Sequence, residues 1–439
     1  MNRRLALWTA LTALSTPGLA YAQGAAQGEV TIGYQGLPSK PSGETQTGIQ
    51  VSESALLHVG AGAEAGYDTN VFYSETSASP VGSQIYRASF FADLSNASRT
   101  GAMARLTFDA RAGVTYRRYQ SADPKLDSYR NAWMPTGGLA LSSGSGQFGF
   151  GLADTYARIE DPPYASGQAA IVRNNNQASI EGRWSPGGGR LTTTLRYTNM
   201  IDVFETEELK EANSDTNLLM LDGAWKWLPK TAIIANVQQG YIFYFQDSST
   251  KSNSFPLRVT AGLRGLLTEK TSAILSLGYV NGFYSNGATT NGFLGSTYAE
   301  LAFTVRPTAL SRAVLGYRHD FTNSVISSFS YDETVYASYL QQIAGRLGFD
   351  LSGRYVHRNY QGYYLTAADQ MAGLSSDRVD NFWQVGATLD YFMRNWIYVG
   401  VGYSLYANGS TITAAVPGEA TPNADYVKQQ VFVRLGLTY

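Results

Sequence analysis

Cysteine is absent from this chain of 439 residues, which excludes a disulfide framework and any thiolate metal site. Charge is scarce as well, since only 15% of the residues are Asp, Glu, Lys or Arg. With 33 basic against 34 acidic residues, no excess of one sign is available to hold nucleic acid. Histidine occurs three times, and the sequence holds no zinc spacing, no calcium loop and no glycine-rich phosphate loop followed by lysine. Long apolar runs are missing after the first two dozen residues, so nothing there reaches the roughly 18 consecutive apolar residues of a membrane-spanning helix. A soluble chain with so few charges would carry long apolar core segments. This one carries 30 Tyr, 45 Gly and 7 Trp instead.

The N-terminus has the layout of a secretory signal peptide: Arg3 and Arg4, the apolar stretch "LALWTALTAL", then Ala20-Tyr21-Ala22 before Gln23. Cleavage is expected after Ala22, giving residues 1–22 as signal peptide. Residues 23–52 are rich in Gly, Ser, Thr, Gln and Pro and read as a flexible periplasmic segment. No linker composition interrupts 53–439, which reads as one architecture.

Within it the recurring pattern is period two. In "LTFDARAGVTYRRY" one set is Leu106, Phe108, Ala110, Ala112, Val114 and Tyr116; the other is Thr107, Asp109, Arg111, Gly113, Thr115 and Arg117. "LGFDLSGRY" repeats the design with Leu347, Phe349, Leu351 and Tyr355 against Asp350, Ser352 and Arg354. Alternation alone also fits a soluble sandwich. Length separates the two: about 18 segments of roughly 10 to 14 residues recur, against an average of about 5 or 6 for globular strands and about 9 to 11 for a tilted membrane strand. Connections sort by parity, long ones such as 68–83, 358–378 and 407–425 alternating with short ones such as Gly144-Ser145, Leu228-Pro229 and Arg394-Asn395. Short periplasmic turns and longer outer loops are the habit of outer-membrane barrels. The expected fold is therefore all-β: a transmembrane antiparallel up-and-down β-barrel of about 18 strands, outer-membrane type.

Closure gives the last segment its role. In lipid an unpaired strand edge costs several kcal/mol per group, so the last strand pairs with the first. Val431, Val433, Leu435, Leu437 and Tyr439 form a lipid-facing row, and such an alternating strand ending in an aromatic resembles the signal read by the outer-membrane assembly machinery. Assigning the polar rows to the interior gives candidate pore-lining residues. The cations are Arg87, Arg111, Arg183, Arg190, Arg196, Arg258, Arg264, Arg312, Arg318, Arg346, Arg354 and Arg434. The anions are Asp93, Asp109, Glu181, Asp222, Glu300, Asp350 and Asp390. Both signs are present, which argues against strong ion selectivity; cross-strand ion pairs bracing the wall and ligand selection by guanidinium groups both remain open. Trp396, Tyr398, Tyr406, Phe91 and Phe382 add rings to the inward rows, either filling space near a rim or stacking on sugar rings. None of His58, His319 and His357 sits beside a recognisable nucleophile. No catalytic residue, metal or cofactor is expected.

"GYDTNVF", from Gly66 to Phe72, resembles the first-strand signature of the outer-membrane β-barrel porin family whose members often accompany exopolysaccharide synthesis genes. Read from the residues alone, Asp68 and Asn70 are polar hairpin-end residues, and Val71 and Phe72 anchor a boundary. The resemblance implies a conduit for a secreted polysaccharide, in outer-membrane lipid, working with a periplasmic polysaccharide-export protein. An uptake porin for small solutes, general or substrate-selective, and a structural or adhesive barrel plugged by its loops are the alternatives.

Overall fold

A computed structural model of the protein describes residues 48–52, 55–74, 79–96, 106–161, 171–246, 252–285, 296–323, 327–363, 378–411 and 425–439. The signal-peptide and most of the N-terminal-segment expectations therefore lie outside the described residues. A two-residue strand, β1 (Ile49–Gln50), precedes eighteen long ones. These are β2 (Leu56–Asp68), β3 (Ser83–Ser95), β4 (Leu106–Gln120), β5 (Asn131–Ser145), β6 (Phe148–Asp161) and β7 (Ile171–Trp184). Then follow β8 (Leu191–Phe204), β9 (Ser214–Leu228), β10 (Thr231–Tyr244), β11 (Leu257–Leu266), β12 (Thr271–Asn281) and β13 (Thr297–Val305). The last six are β14 (Ser311–Asn323), β15 (Ser327–Ile343), β16 (Leu347–Tyr363), β17 (Val379–Arg394), β18 (Ile397–Ser410) and β19 (Tyr426–Thr438).

Each long strand pairs antiparallel with its neighbours in sequence, and β19 pairs with β2 from Gln430↔Asp68 to Thr438↔Gly60. The sheet is thereby a closed barrel of eighteen strands, and every long strand has partners on both edges. Val59 and Tyr439 exchange backbone hydrogen bonds of 3.1 and 2.9 Å beyond the last register pair. Below them β1 takes the next places on the same edge of β2, pairing Ile49↔Leu57 and Gln50↔Leu56.

The register sorts the side chains as the alternation requires. On β19 Val431, Val433, Leu435, Leu437 and Tyr439 are exposed outward, while Lys428, Gln430, Phe432 and Thr438 are buried on the inner face. Rings gather at both edges of the outer apolar belt: Trp184, Trp225, Trp227, Trp396 and Tyr439 at the short-turn end, Tyr67, Tyr86, Tyr156 and Trp383 at the other. Such paired aromatic girdles suit the two membrane–water boundaries, and the exposed Leu and Val between them are what hydrocarbon covers. The protein is a multi-pass β-barrel of the outer-membrane type. Turns at one end are tight; at Ala344-Gly345 both residues have positive φ (49° and 71°), the geometry of the two-residue turns that match strand twist. On the inner face, glycines let neighbouring rings lie flat along the wall: a Cβ at Gly402 would run into the Phe432 ring, and one at Gly436 into Tyr398.

Candidate functional site

The interior is the candidate site, and its two ends differ. At the long-loop end the chain after β2 turns into the mouth. Asp68, Asn70, Val71 and Phe72 have no exposed surface. Asn70 clamps the turn: its amide donates to the carbonyls of Ser74 (2.7 Å) and Val427 (3.1 Å), and its Oδ1 accepts from the Ser74 N–H (2.8 Å). Val71, Phe72 and Val81 pack with Ile85, Tyr119, Leu126 and Tyr129. Tyr73 reaches across to Val356, Phe382, Tyr406 and Tyr426. The first loop thus bridges the inner faces of β3–β4 and β16–β19. The hairpin-end and boundary-anchor reading of residues 68–72 is corrected here: apolar side chains placed at a polar mouth exclude water by folding inward.

Lys428 pins this loop. Its Nζ lies 2.9 Å from Asp68 Oδ2 and 3.4 Å from the carbonyl of Val71, and stands 4.1 Å from the centre of the Tyr73 ring. Gln430 donates to the same Asp68 oxygen at 2.9 Å. A charge buried this deeply persists only when paired and hydrogen-bonded.

Ion pairs recur around the inner wall. Arg258 binds Asp320 through Nη2 at 2.6 and 2.8 Å. Arg358 binds Asp332 in a two-point fork at 2.9 and 2.7 Å, and Arg378 holds Asp380 at 2.9 and 2.8 Å. Arg434 grips Asp390 through Nε (2.8 Å) and Nη2. Arg87 meets Glu64 at 3.2 Å, and Arg111 meets Asp93 at 3.1 Å and Asp109 at 2.6 Å. The planar guanidinium fits a carboxylate: Arg87, Arg111 and Arg358 reach one on the adjacent strand, while Arg434 and Arg258 reach across to β17 and β14, so these pairs brace the wall.

Of the expected interior residues, Arg87, Asp93, Asp109, Arg111, Arg183, Glu181, Arg196, Asp222, Arg258, Arg264, Glu300, Arg312, Arg318, Asp350, Arg354, Asp390, Tyr398 and Arg434 occupy inward register positions. Three do not lie on the wall. Arg190 and Arg346 sit in the turns after β7 and β15, and Trp396 sits, exposed, in the turn after β17; parity carries an inward row past the last wall residue into the turn. The inward rings Tyr406 and Phe382 are buried (2% and 7% exposure) in the outer half of the barrel, and Tyr398 (8%) is buried beside Phe392 at the short-turn end, so these three offer no open face to a sugar; Phe91 is half-buried. His58 pairs in register with Asp93, His357 Nδ1 is 2.9 Å from Asn381 Oδ1, and His319 Nδ1 is 3.8 Å from Glu333. Among the described residues no group of three His, Cys, Asp or Glu could hold a metal ion.

Lys428, Asp68, Arg358, Asp332 and Asp320 were not among the expected residues. Counting back in twos from the Val431 row places Lys428 inward, so parity alone could have found it.

The inner faces of β5 and β6 are different in kind. On β5 and β6 the inner face carries Thr136, Gly138, Ala140, Ser142, Gly151 and Ala153, and with β7–β10 it borders a cavity of about 460 Å³. Gln177, Ser179, Gln238, Thr198, Met200 and Met220 also line it, with the Arg196–Glu181 pair (2.7 Å) at its side. Gln238 is only 5% exposed, and its amide has no hydrogen-bond partner among the described residues.

No protein-family model and no curated protein matches the chain. Solved structures match in architecture. The siderophore receptor PiuA from Acinetobacter baumannii aligns over 87% of this chain and 82% of its own, at 9% identity and a TM-score of 0.46. OccK2 (OpdF) from Pseudomonas aeruginosa covers 88% and 98%, at 10% identity and a TM-score of 0.45. The outer membrane protein opdK from Pseudomonas aeruginosa covers 87% and 99%, at 12% identity and the same TM-score.

Proposed function

We propose that the protein is a passive outer-membrane channel for uptake of small hydrophilic solutes, with the path running along the β5–β10 side of the lumen. One observation carries this: on that side β5 and β6 present only small, uncharged side chains to a cavity of about 460 Å³, with the Arg196–Glu181 pair at its edge, whereas the inner faces of β16–β19 carry paired charges and covered rings. Barrels of 16 to 18 strands are wide enough to leave an aqueous passage. The lumen-facing candidates named above then serve mostly as bracing, and Arg196 and Glu181 as the charged pair nearest the path.

A sealed, structural barrel is the second reading, and the first loop favours it, because residues 70–73 lie buried across the mouth. Polysaccharide export, implied by the likeness of residues 66–72 to a porin family of exopolysaccharide loci, has less behind it. The stretch that carries the likeness is used to anchor a loop, and three of the rings that would guide a sugar chain are buried.

Single-channel recording of the folded protein in planar bilayers tests the reading. A steady current is expected, falling clearly in Ser179→Trp, which puts a large ring on the wall of the cavity. Absence of any steady current in the unmodified protein would establish the sealed barrel instead.

A further inference from the structure

The residues displaced from the lumen point to a different surface. At the short-turn end, six successive connections carry a cation: Arg190, Lys230, Lys270, Arg306 and Arg346 in the turns following β7, β9, β11, β13 and β15, and Arg394 as the last residue of β17. One carboxylate, Glu269, stands among them. The arc spans twelve of the eighteen strands, in a chain whose formal net charge is only −1. None of the six cations forms an ion pair with a described residue, while the arginines inside the barrel mostly do. Lys270 alone is tied, donating to the carbonyl of Pro307 in the next turn at 2.8 Å.

Exposed apolar side chains accompany these charges. Trp184, Trp225, Trp227 and Trp396 face outward at the strand ends, and Leu267 is 64% exposed in the turn that holds Lys270. Indole rings with cations just beyond them are the chemistry of a membrane–water boundary: the ring settles at headgroup depth and the cation reaches the phosphates. With short turns on the periplasmic side, the leaflet they meet is the inner one. We propose that this arc is a docking surface for anionic phospholipid headgroups in that leaflet.

An acidic protein would be met by a compact patch; an arc following the rim at one depth fits a plane. Each cation near an anionic lipid surface shifts partitioning roughly fivefold. Neutralising three of them is then expected to lower retention of anionic lipid by roughly a hundredfold, if the contributions add.

The test uses the complete folded protein in detergent, titrated with phosphatidylglycerol or phosphatidylethanolamine and read by native mass spectrometry. The expected result is strong preferential retention of phosphatidylglycerol, lost in the combined Lys230→Gln, Arg306→Gln, Arg346→Gln variant and kept in Lys125→Gln, at the other end of the barrel. Should that triple variant fail to fold, Arg190→Gln with Arg394→Gln takes its place, and rising salt must strip phosphatidylglycerol from the unmodified protein before phosphatidylethanolamine. Equal retention of the two lipids, or undiminished preference in the variants, overturns the proposal. Displacement of the lipid by inorganic phosphate at the same headgroup concentration overturns it too, leaving a free-anion site at the inner mouth. Conductance is unaffected by these outcomes, so the channel reading stands or falls separately.

Discussion

The inner faces of β5–β6 and of β16–β19 follow the same alternation yet are built from opposite materials. The first is mostly Gly, Ala, Ser and Thr and holds no charge beside the cavity; the second is rich in Arg, Asp, Lys, Tyr and Phe, with each of Arg358, Arg434 and Lys428 bound to a carboxylate. Of these two faces, the one that the first loop covers carries the charge, and that of β5–β6 carries none along the cavity. The contrast shows that a charged residue on an inward row need not be there for solute. In a low-dielectric, covered half, an ion pair fixes which strands face which loop, and removing one partner is costly.

Breaking the contrast is easiest at its strongest point. Lys428→Met leaves Asp68 buried without its cation, and a loss of about 3–5 kcal/mol in stability is expected, measured by urea unfolding of the folded barrel in detergent. The same change frees the first loop, so conductance should rise. A rise in current without destabilisation would show that the pair only gates.

A middle-sized effect is expected at Gly402. Gly402→Val drives a branched side chain into the Phe432 ring, and such overpacking costs about 1–3 kcal/mol; Gly138→Val on the uncharged wall, where the nearest atoms to an added Cβ stand at 3.6 Å, should cost less. Thermal unfolding of both variants, followed by the gel shift of heated barrels, gives the comparison directly.

The smallest effect belongs to the rim above the uncharged wall. Arg158 forks onto Glu205 at 2.8 and 2.9 Å, and this hydrogen-bonded partner holds the Glu205 carboxyl below its usual range. A carboxyl with a lowered folded-state pKa adds stability above the ordinary glutamate value and loses it as pH falls through the depressed one. Because the pair is partly exposed, the contribution should be about 0.2–1 kcal/mol. The unmodified protein should therefore exceed Glu205→Gln in stability by that amount above the ordinary glutamate range, and an acid titration of stability should show the two converging as pH falls and Glu205 is protonated.

Much of the architecture was legible because a two-residue period leaves little freedom: once Val431, Val433 and Leu435 face lipid, Arg434 must face inward. Strand number and parity of the connections followed from the same count. The covered mouth was not legible. Nothing in the order of Asp68, Asn70, Val71 and Phe72 says whether a loop leans out or in; that depends on Lys428, Tyr406 and Tyr426, more than 300 positions away in the chain. The turn arginines failed for a simpler reason. Alternation extrapolates past the end of a strand, and Arg190 and Arg346 lie one residue beyond the wall.

The short strand β1 occupies the edge of β2 directly beneath Tyr439. Residues appended after Tyr439 could not run on along β2, because Ile49 already holds the next rung. A fused tag there would have to peel away from the cylinder or displace β1. Placing a label in an outer loop would leave that joint untouched.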